Sequence, residues 1–198
     1  MKKQIFLKLS ILSIFCLVVS GCLFRSAPVR YYKLSAGTLG KLPGPVPEIG
    51  SVTVEIPAYL KRQQLVFQRD KHEIGFLEKD RWGCMLRKDM ADVLQYDFEQ
   101  QTNCKDLKDV KQGHDSALGE VQLRYVFRSF SGDLNGNFRV NGICYIVQNP
   151  LKIHRSFCFR FVLPFTVKKV PSLVEAHNLA LARIAGETVD YLAQQSWK

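Results

Sequence analysis

The chain has 198 residues, 23% of them charged, and a formal net charge of +10. This length suits one domain with a real core, since a domain of about 150 residues already buries about 68–70% of its unfolded surface. Excess basic charge often indicates a nucleic-acid partner, but here the charges are scattered and the N-terminal segment predicts export. We therefore expect no nucleic-acid partner, which leaves anionic headgroups, envelope proteins or plain solubility.

The N-terminus predicts an export signal that ends in a lipidation site. A positive start precedes the apolar run of residues 9–19 (LSILSIFCLVV), and small residues lead into Cys22. This order describes a signal peptide, and the apolar run is shorter than the roughly 20 residues that cross a bilayer. VVSGC fits the bacterial lipobox, so we expect removal of residues 1–21 and lipid on Cys22. An uncleaved membrane anchor is the alternative.

The residue after the cysteine bears on which membrane holds the protein. Enterobacterial sorting retains lipoproteins in the inner membrane when aspartate follows the cysteine, so Leu23 favours the outer membrane. Each buried methylene contributes about 0.8 kcal/mol, so several acyl chains make a lasting anchor. We expect residues 22–29 to be a lipidated tether and residues 30–198 to be one domain on the periplasmic face.

The pattern beyond the tether predicts seven strands. β-branched and aromatic residues alternate with polar ones in short runs, and the Gly- and Pro-rich residues 36–50 exclude regular structure between the first two. Asp70-Lys71-His72 predicts one hairpin turn, and Asn135-Gly136 is the strongest short hairpin signal in the chain. The predicted strands are residues 31–34, 51–56, 64–69, 73–78, 119–130, 138–148 and 153–163.

Two segments have helical periodicity. From Trp82 to Phe98 the apolar residues fall at helical spacing, and Asp80 is the expected N-cap. A second helix is expected over residues 173–195, because Ser172 and a glutamate three residues later form a capping box. We predict an α+β single domain with a mixed, mostly antiparallel sheet and two main helices packed on it in two layers.

Four cysteines remain in the domain, an even number for an oxidising compartment, so disulfides are expected. If the last two strands pair around Leu151, Cys144 lies opposite Cys158. Cys84 and Cys104 are then the remaining pair. Four separate buried thiols are the alternative. A zinc site is a weaker one, since no CxxC or HxxxH spacing occurs, and we expect neither a metal nor another cofactor.

The sequence contains no recognisable catalytic constellation. It has no GxSxG, HExxH or Walker loop, and no histidine has a metal or nucleophile partner at a telling spacing. We therefore predict that the protein is not an enzyme, with an exported hydrolase as a trailing alternative. The four histidines are His72, His114, His154 and His177.

Aromatic residues allow two interpretations each. Trp82 is either a partner anchor, since Trp is enriched at interfaces, or a core residue. Phe157, Phe159 and Phe161 share one strand face and are either sheet core or the lining of a lipid-binding groove.

The stretches IPAYLKRQQLVFQRD (residues 56–70) and DRWGCMLRKDMADVLQYDF (residues 80–98) resemble the ABC-type transport auxiliary lipoproteins, which include the lipoprotein of the paraquat-inducible (Pqi) system. In that family a strand ends in Leu-Pro or Ile-Pro, Tyr-Leu and a basic residue follow, and a Trp opens a helix. The early Tyr31-Tyr32-Lys33-Leu34 is also similar to the family's start. Matching places are held by Pro57, Tyr59, Leu60, Arg62, Arg69, Trp82, Leu86 and Leu94.

The resemblance implies a non-enzymatic component tethered to the outer membrane. Such proteins work with a permease and with a protein that carries mammalian-cell-entry (MCE) domains, and some form rings, so a homo-oligomer is implied too. We take Tyr59, Arg62, Arg69 and Trp82 as candidate partner or subunit contacts. The four domain cysteines depart from the family pattern, as does Tyr145 where a tryptophan is expected.

The predicted function is therefore support of lipid or hydrophobic-solute transport between membranes. The alternative of another class is a structural or regulatory lipoprotein of a cell-wall or secretion assembly.

Overall fold

The computed structural model describes residues 27–37, 47, 49–101, 121–148, 153–167 and 169–195. The expected signal peptide, Cys22 and Cys104 lie outside these residues. The elements are strands β1 (Arg30–Tyr32), β2 (Ile49–Glu55), β3 (Gln64–Asp70), β4 (Glu73–Trp82), β5 (Val121–Asp133), β6 (Asn137–Gln148) and β7 (Ile153–Pro164), helices α1 (Leu86–Gln101) and α2 (Val170–Ala193), and a 3-10 turn (Ala58–Leu60).

All seven strands join one sheet. Six of them follow the order β1-β4-β3-β5-β6-β7, and the seventh, β2, pairs with β5. The long strand β5 makes this branching possible. Its first half pairs with β2 and its end, at Gly132 and Asp133, pairs with β3. The pairs β3–β4, β5–β6 and β6–β7 are antiparallel, whereas β1–β4, β2–β5 and β3–β5 are parallel. The predicted α+β class is confirmed, and the sheet is more extensive than a simple two-layer description suggests.

Both helices lie on one side of the sheet. Helix α1 packs against β2 and α2, and α2 packs against β5, β6 and β7. Alternation along β5 and β6 therefore gives a covered face of buried, mostly apolar residues and an open face that carries most of the exposed ones. On β5, for example, Leu123 and Tyr125 are buried while Gln122 and Arg124 are exposed.

The phenylalanine row on β7 belongs to the core. Phe159 and Phe161 are 1% and 7% exposed, and the ring of Phe157 stacks on Tyr191 of α2 at 4.9 Å. Phe159 also meets Phe127 edge-on at 5.3 Å, the geometry that aromatic pairs prefer. Because α2 covers this row, it forms sheet core, the first of its two interpretations.

The predicted β5–β6 hairpin is confirmed, and its turn explains one glycine. Gly136 has φ of +80°, a region that other residues enter at a cost. The Asp133 carboxylate accepts hydrogen bonds from the backbone N–H groups of Asn135 and Asn137, both at 2.9 Å. A side chain at position 136 would also meet the carbonyl oxygen of Phe165 at 2.8 Å.

Both predicted helix starts are wrong. Asp80 and Trp82 belong to β4, and α1 begins at Leu86. Helix α2 begins at Val170, and its N-cap residue makes no side-chain hydrogen bond. Ser172 lies inside the first turn, where its hydroxyl accepts a hydrogen bond from the backbone of Thr166 at 2.9 Å. The expected capping box is therefore replaced by a contact that fixes the loop before the helix.

The structure also corrects the cysteine pairing. The expected register of β6 and β7 is off by one residue: Cys158 pairs with Ile143, and Cys144 pairs with Phe157. A one-residue slip exchanges the two faces of a strand. Cys144 consequently lies buried on the covered face and Cys158 exposed on the open face, and both are free, as is the exposed Cys84.

Candidate partner-binding surface

Two exposed arginines, Arg62 just before β3 and Arg69 near its end, each lie over an aromatic ring of the β3–β4 hairpin. The Arg62 guanidinium is 5.0 Å from the ring centre of Phe76, and that of Arg69 is 5.6 Å from the ring centre of Phe67. Arg69 also donates a hydrogen bond to Glu73 at 3.0 Å. A ring beneath a cation restricts its position and attracts it. Phe67 pairs with Gly75 and its neighbour Val66 pairs with Phe76, so the two arginine–ring pairs lie on opposite faces of the hairpin. We call Arg62, Phe67, Arg69 and Phe76 together the hairpin surface.

The sequence prediction found both arginines but missed the two rings beneath them. Gly75 is the signal that could have revealed one of them, because it lies opposite Phe67 across the hairpin. A Cβ at this position would lie 2.4 Å from the Phe67 ring and 2.8 Å from Arg69 Nε. The glycine therefore leaves the space in which Arg69 and Phe67 meet.

Tyr59, another candidate contact residue, precedes the hairpin surface. It lies in the 3-10 turn just before β3 and is partly buried against the core. Burial raises the pKa of its hydroxyl, and hydrogen bonds with the Ser131 side chain and the Phe130 backbone partly offset this. The turn is thereby held on the open side of β5, which fixes the start of the hairpin.

A cavity of about 340 Å³ lies beside the hairpin surface, between the β3–β4 turn and the β5–β6 turn. Three of its side chains are basic, and two acidic ones share the space. Arg139 donates a hydrogen bond to the Asp133 carboxylate at 3.2 Å. Burial alone would raise the pKa of Asp133, but the hydrogen bonds from the turn amides and from Arg139 together lower it. The cavity is lined by Gln68, Arg69, Asp70, Lys71, Asp133, Leu134, Asn135 and Arg139.

The structure places Trp82 in the core instead of on a contact surface. Its side chain is 2% exposed and meets the His177 ring edge-on at 5.0 Å. The same histidine contacts Phe130 and Phe138 at 5.1 and 4.4 Å. Its Nδ1 donates to the carbonyl of Leu173 at 2.7 Å, and burial lowers its pKa to about 4. This neutral histidine is a packing residue.

Two carboxylates hold the segment that connects the expected tether to the domain. Asp80 accepts hydrogen bonds from Arg30 Nε at 2.7 Å and from the Tyr32 hydroxyl at 3.0 Å. Asp89 in α1 accepts one from the backbone N–H of Leu34 at 2.7 Å. Asp80, expected as a helix cap, thus fixes β1 to the sheet edge.

One buried carboxylate has no such partner. Asp97 in α1 is 1% exposed, and neither of its carboxylate oxygens has a well-formed hydrogen bond. Burial raises its pKa to about 6, and the backbone of Gly37 favours the charged form only weakly. A buried acid of this kind costs stability when it ionises.

No arrangement typical of catalysis emerges from the part of the chain that the structure describes. Within those residues, no group of three or more His, Cys, Asp or Glu side chains could hold a metal ion. None of the described helices has both the length and the hydropathy needed to cross a bilayer. The arrangement that does emerge, exposed basic side chains over aromatic rings at the β3–β4 hairpin, is suited to binding another molecule.

These features define a single α+β domain with exposed basic and aromatic side chains, and comparison with known proteins identifies its family. The family model for the ABC-type transport auxiliary lipoprotein component matches residues 32–189. The chain therefore belongs to the ABC-type transport auxiliary lipoprotein family, and the resemblance seen in the sequence is confirmed. Membership indicates an auxiliary transport role and a membrane-anchored location. No curated protein matches the chain.

Solved structures share the fold. One is an uncharacterised protein with a TM-score of 0.63 and 15% identity, and the match covers 83% of this chain and 99% of the other. Another is protein XCC0632 from Xanthomonas campestris, described as a DUF330 protein, with a TM-score of 0.61 and 14% identity, covering 82% and 94% of the two chains. At such identities the likeness extends to the fold alone.

Proposed function

We propose that the protein is an outer-membrane lipoprotein on the periplasmic face that serves as the non-enzymatic auxiliary component of an ABC/MCE-type transport system for lipids or other hydrophobic solutes. The observation that carries this proposal is the family match over residues 32–189. Its partners would be an MCE-domain protein and the associated permease, and the domain would act as a homo-oligomer.

The hairpin surface supports a docking role. Arg62 and Arg69 are exposed, while Phe67 and Phe76 restrict them from below. A charged side chain that is already oriented loses less entropy when it binds. Arginine is also among the residues enriched at binding hot spots. We assign this surface to the MCE-type partner.

The anchor supports the location. Residues 1–21 would be removed, Cys22 would carry the acyl chains, and residues 22–29 would connect to β1. The bonds of Asp80 to Arg30 and Tyr32 then hold the tethered end against the domain. Leu23 favours the outer membrane over the inner one.

Substitution of the lipidated cysteine tests the anchor. Cys22→Ala should abolish acyl labelling and release the domain from the membrane fraction, because a domain without acyl chains has no lasting hold on the bilayer. Continued membrane association without acylation would contradict the lipid anchor and support an uncleaved apolar segment.

Purification of the tagged protein from detergent-solubilised membranes tests the partner. We expect an MCE-domain protein and its permease to co-purify. Consistent recovery of cell-wall synthases or secretion components would contradict the transport role and support the alternative, a structural or regulatory lipoprotein of such an assembly.

A further inference from the structure

The open face of the sheet brings three arginines together. Ser129 on β5 pairs with Asn141 on β6, which pairs with Arg160 on β7. Arg128 directly precedes Ser129 at a bulge, and Arg139 lies two residues before Asn141. Neighbouring strands are about 4.8 Å apart and residues rise about 3.4 Å along them, so the backbones of these arginines lie within roughly 12 Å of one another. We call Arg128, Arg139 and Arg160 the arginine cluster.

The arginine cluster has an excess of positive charge. Arg139 is neutralised by Asp133 at 3.2 Å, and nearby Arg124 by Glu55 at 2.6 Å. Among the residues that the structure describes, Arg128 and Arg160 make no ion pair. Both are exposed. Two uncompensated guanidinium groups therefore face outward on the same side of the sheet, which favours an anionic partner.

Apolar side chains border the cluster on both sides. Val126, Ile143 and Cys158 form the next row across β5, β6 and β7. Beyond them lies Tyr145, 41% exposed, and on the other side Val162, 48% exposed. Arginine mixed with tyrosine and aliphatic residues matches the chemistry of a bilayer interface, where rings and basic groups lie at the level of the headgroups.

The same face extends to the strand where the tether enters. Tyr31 pairs with Arg81, while its neighbour Tyr32 pairs with the buried Trp82 on the covered side. Tyr31, 63% exposed, therefore lies on the open face. From Cys22 to β1 the chain spans about eight residues, at most about 29 Å when fully extended. A lipid on Cys22 would hold this face within reach of the bilayer.

We propose that the open face of the sheet lies against an anionic bilayer surface, with Arg128 and Arg160 on lipid phosphates and Tyr145 and Val162 in the interfacial zone. This inference rests on the proposed lipid anchor. Strands β5, β6 and β7 present this face. Phe67 and Arg69 of the hairpin surface lie on the covered side of the sheet, since Phe67 pairs with Gly132 beneath Leu173 of α2, and they stay free for the protein partner. The competing occupant is an acidic protein.

Two exposed cysteines provide the test. Cys158 lies within the open face, whereas Cys84 lies outside it, before α1. Cys144 will not interfere, because it is buried and burial raises its pKa to about 12, which leaves almost no reactive thiolate. One form of the lipidated full chain carries Cys84→Ser and Cys104→Ser and keeps Cys158. Its matched form carries Cys104→Ser and Cys158→Ser and keeps Cys84.

Both forms are placed on vesicles of phosphatidylglycerol and phosphatidylethanolamine, or of phosphatidylcholine alone, and a membrane-impermeant maleimide is added. We expect Cys158 to react at least tenfold more slowly on the anionic vesicles and Cys84 to react equally on both. Adding Arg128→Glu and Arg160→Glu should restore the reactivity of Cys158. The control charge reversals Arg87→Glu and Lys88→Glu, at exposed positions of α1, should leave Cys158 protected from the maleimide.

Flotation of the same samples distinguishes failure of the proposed lipid anchor from failure of the proposed bilayer contact. A chain that does not float with the vesicles contradicts the lipid anchor, and with it both the proposed location and this inference. A chain that floats while Cys158 reacts equally on both vesicle types overturns only the inference, and the open face would then be assigned to an acidic protein.

Discussion

The covered and open faces of the sheet are built from the same strands but respond differently to change. On β7, Phe159 and Phe161 lie under α2 at 1% and 7% exposure, while their neighbour Arg160 faces outward. Burial of an aromatic side chain stabilises the fold by a few kcal/mol, whereas an exposed arginine contributes almost nothing. Stability therefore resides on the covered face, and the open face and the hairpin surface are free to carry function.

The largest expected effect is at Trp82, on the covered side. Trp82→Ala should lower the free energy of unfolding by about 3–5 kcal/mol, because it leaves a cavity beside His177 in a tightly packed aromatic cluster. Urea unfolding followed by circular dichroism measures this. Met85→Ala, at a position 69% exposed, serves as the control and should change little. A loss below about 1 kcal/mol at Trp82 would favour the contact role over the core role.

Substitution of Asp97 is expected to have a smaller effect of opposite sign, a gain in the free energy of unfolding. Its pKa is raised to about 6 in the folded state, against about 3.9 in an unfolded chain. Between these values the folded state binds the extra proton, so Asp97 favours folding below pH 4 and this contribution is lost as pH rises to 6. Asp97→Asn should therefore raise the free energy of unfolding at pH 7 by roughly 2–3 kcal/mol.

His177 has the opposite pH dependence and sharpens that test. Its pKa is lowered to about 4, so between pH 6.5 and 4 only the unfolded state gains the proton, and stability falls on acidification. In the wild type the two groups partly cancel in this window. In the Asp97→Asn variant, the loss of stability below pH 6.5 should appear in full as a lower urea concentration at the unfolding midpoint. A stability that does not change with pH in this variant would contradict the buried neutral histidine.

The smallest effect is expected on the open face. Arg128→Glu together with Arg160→Glu should change the free energy of unfolding by less than about 0.5 kcal/mol per site, since neither arginine has an ion pair to lose. Thermal or urea unfolding checks this. A loss of several kcal/mol would show that the open face is structural, and the contrast between the two faces would not hold.

The sequence predicted the long strands well because alternation of apolar and polar residues is clear in β5 and β6. It misplaced the α1 start because the apolar spacing from Trp82 onward fits a helix, while the pairing of Trp82 with Tyr32 of β1, fifty residues earlier, holds it in a strand. The predicted β6–β7 register is one residue off because Gln148 pairs with Ile153, so four residues connect the strands, whereas a connection centred on Leu151 needs an odd number. That single step separated Cys144 from Cys158.

The functional surface was predicted in part. Arg62 and Arg69 followed from a family resemblance, and the structure adds the rings that restrict them. The arginine cluster was not foreseen, because its members come from three strands and become neighbours only through the register. In the sequence their charges looked scattered, which is the usual pattern of a solvated surface.

The most direct test of the account is capture of the MCE-domain protein by three forms of the tagged lipoprotein from native membranes. The wild type and the Arg87→Glu, Lys88→Glu form should capture equal amounts. The Arg62→Glu, Arg69→Glu form should capture at least tenfold less while it unfolds at the same urea concentration. Equal capture by all three forms would contradict the docking role of the hairpin surface, and absence of the MCE-domain protein from every sample would contradict the proposed transport function itself.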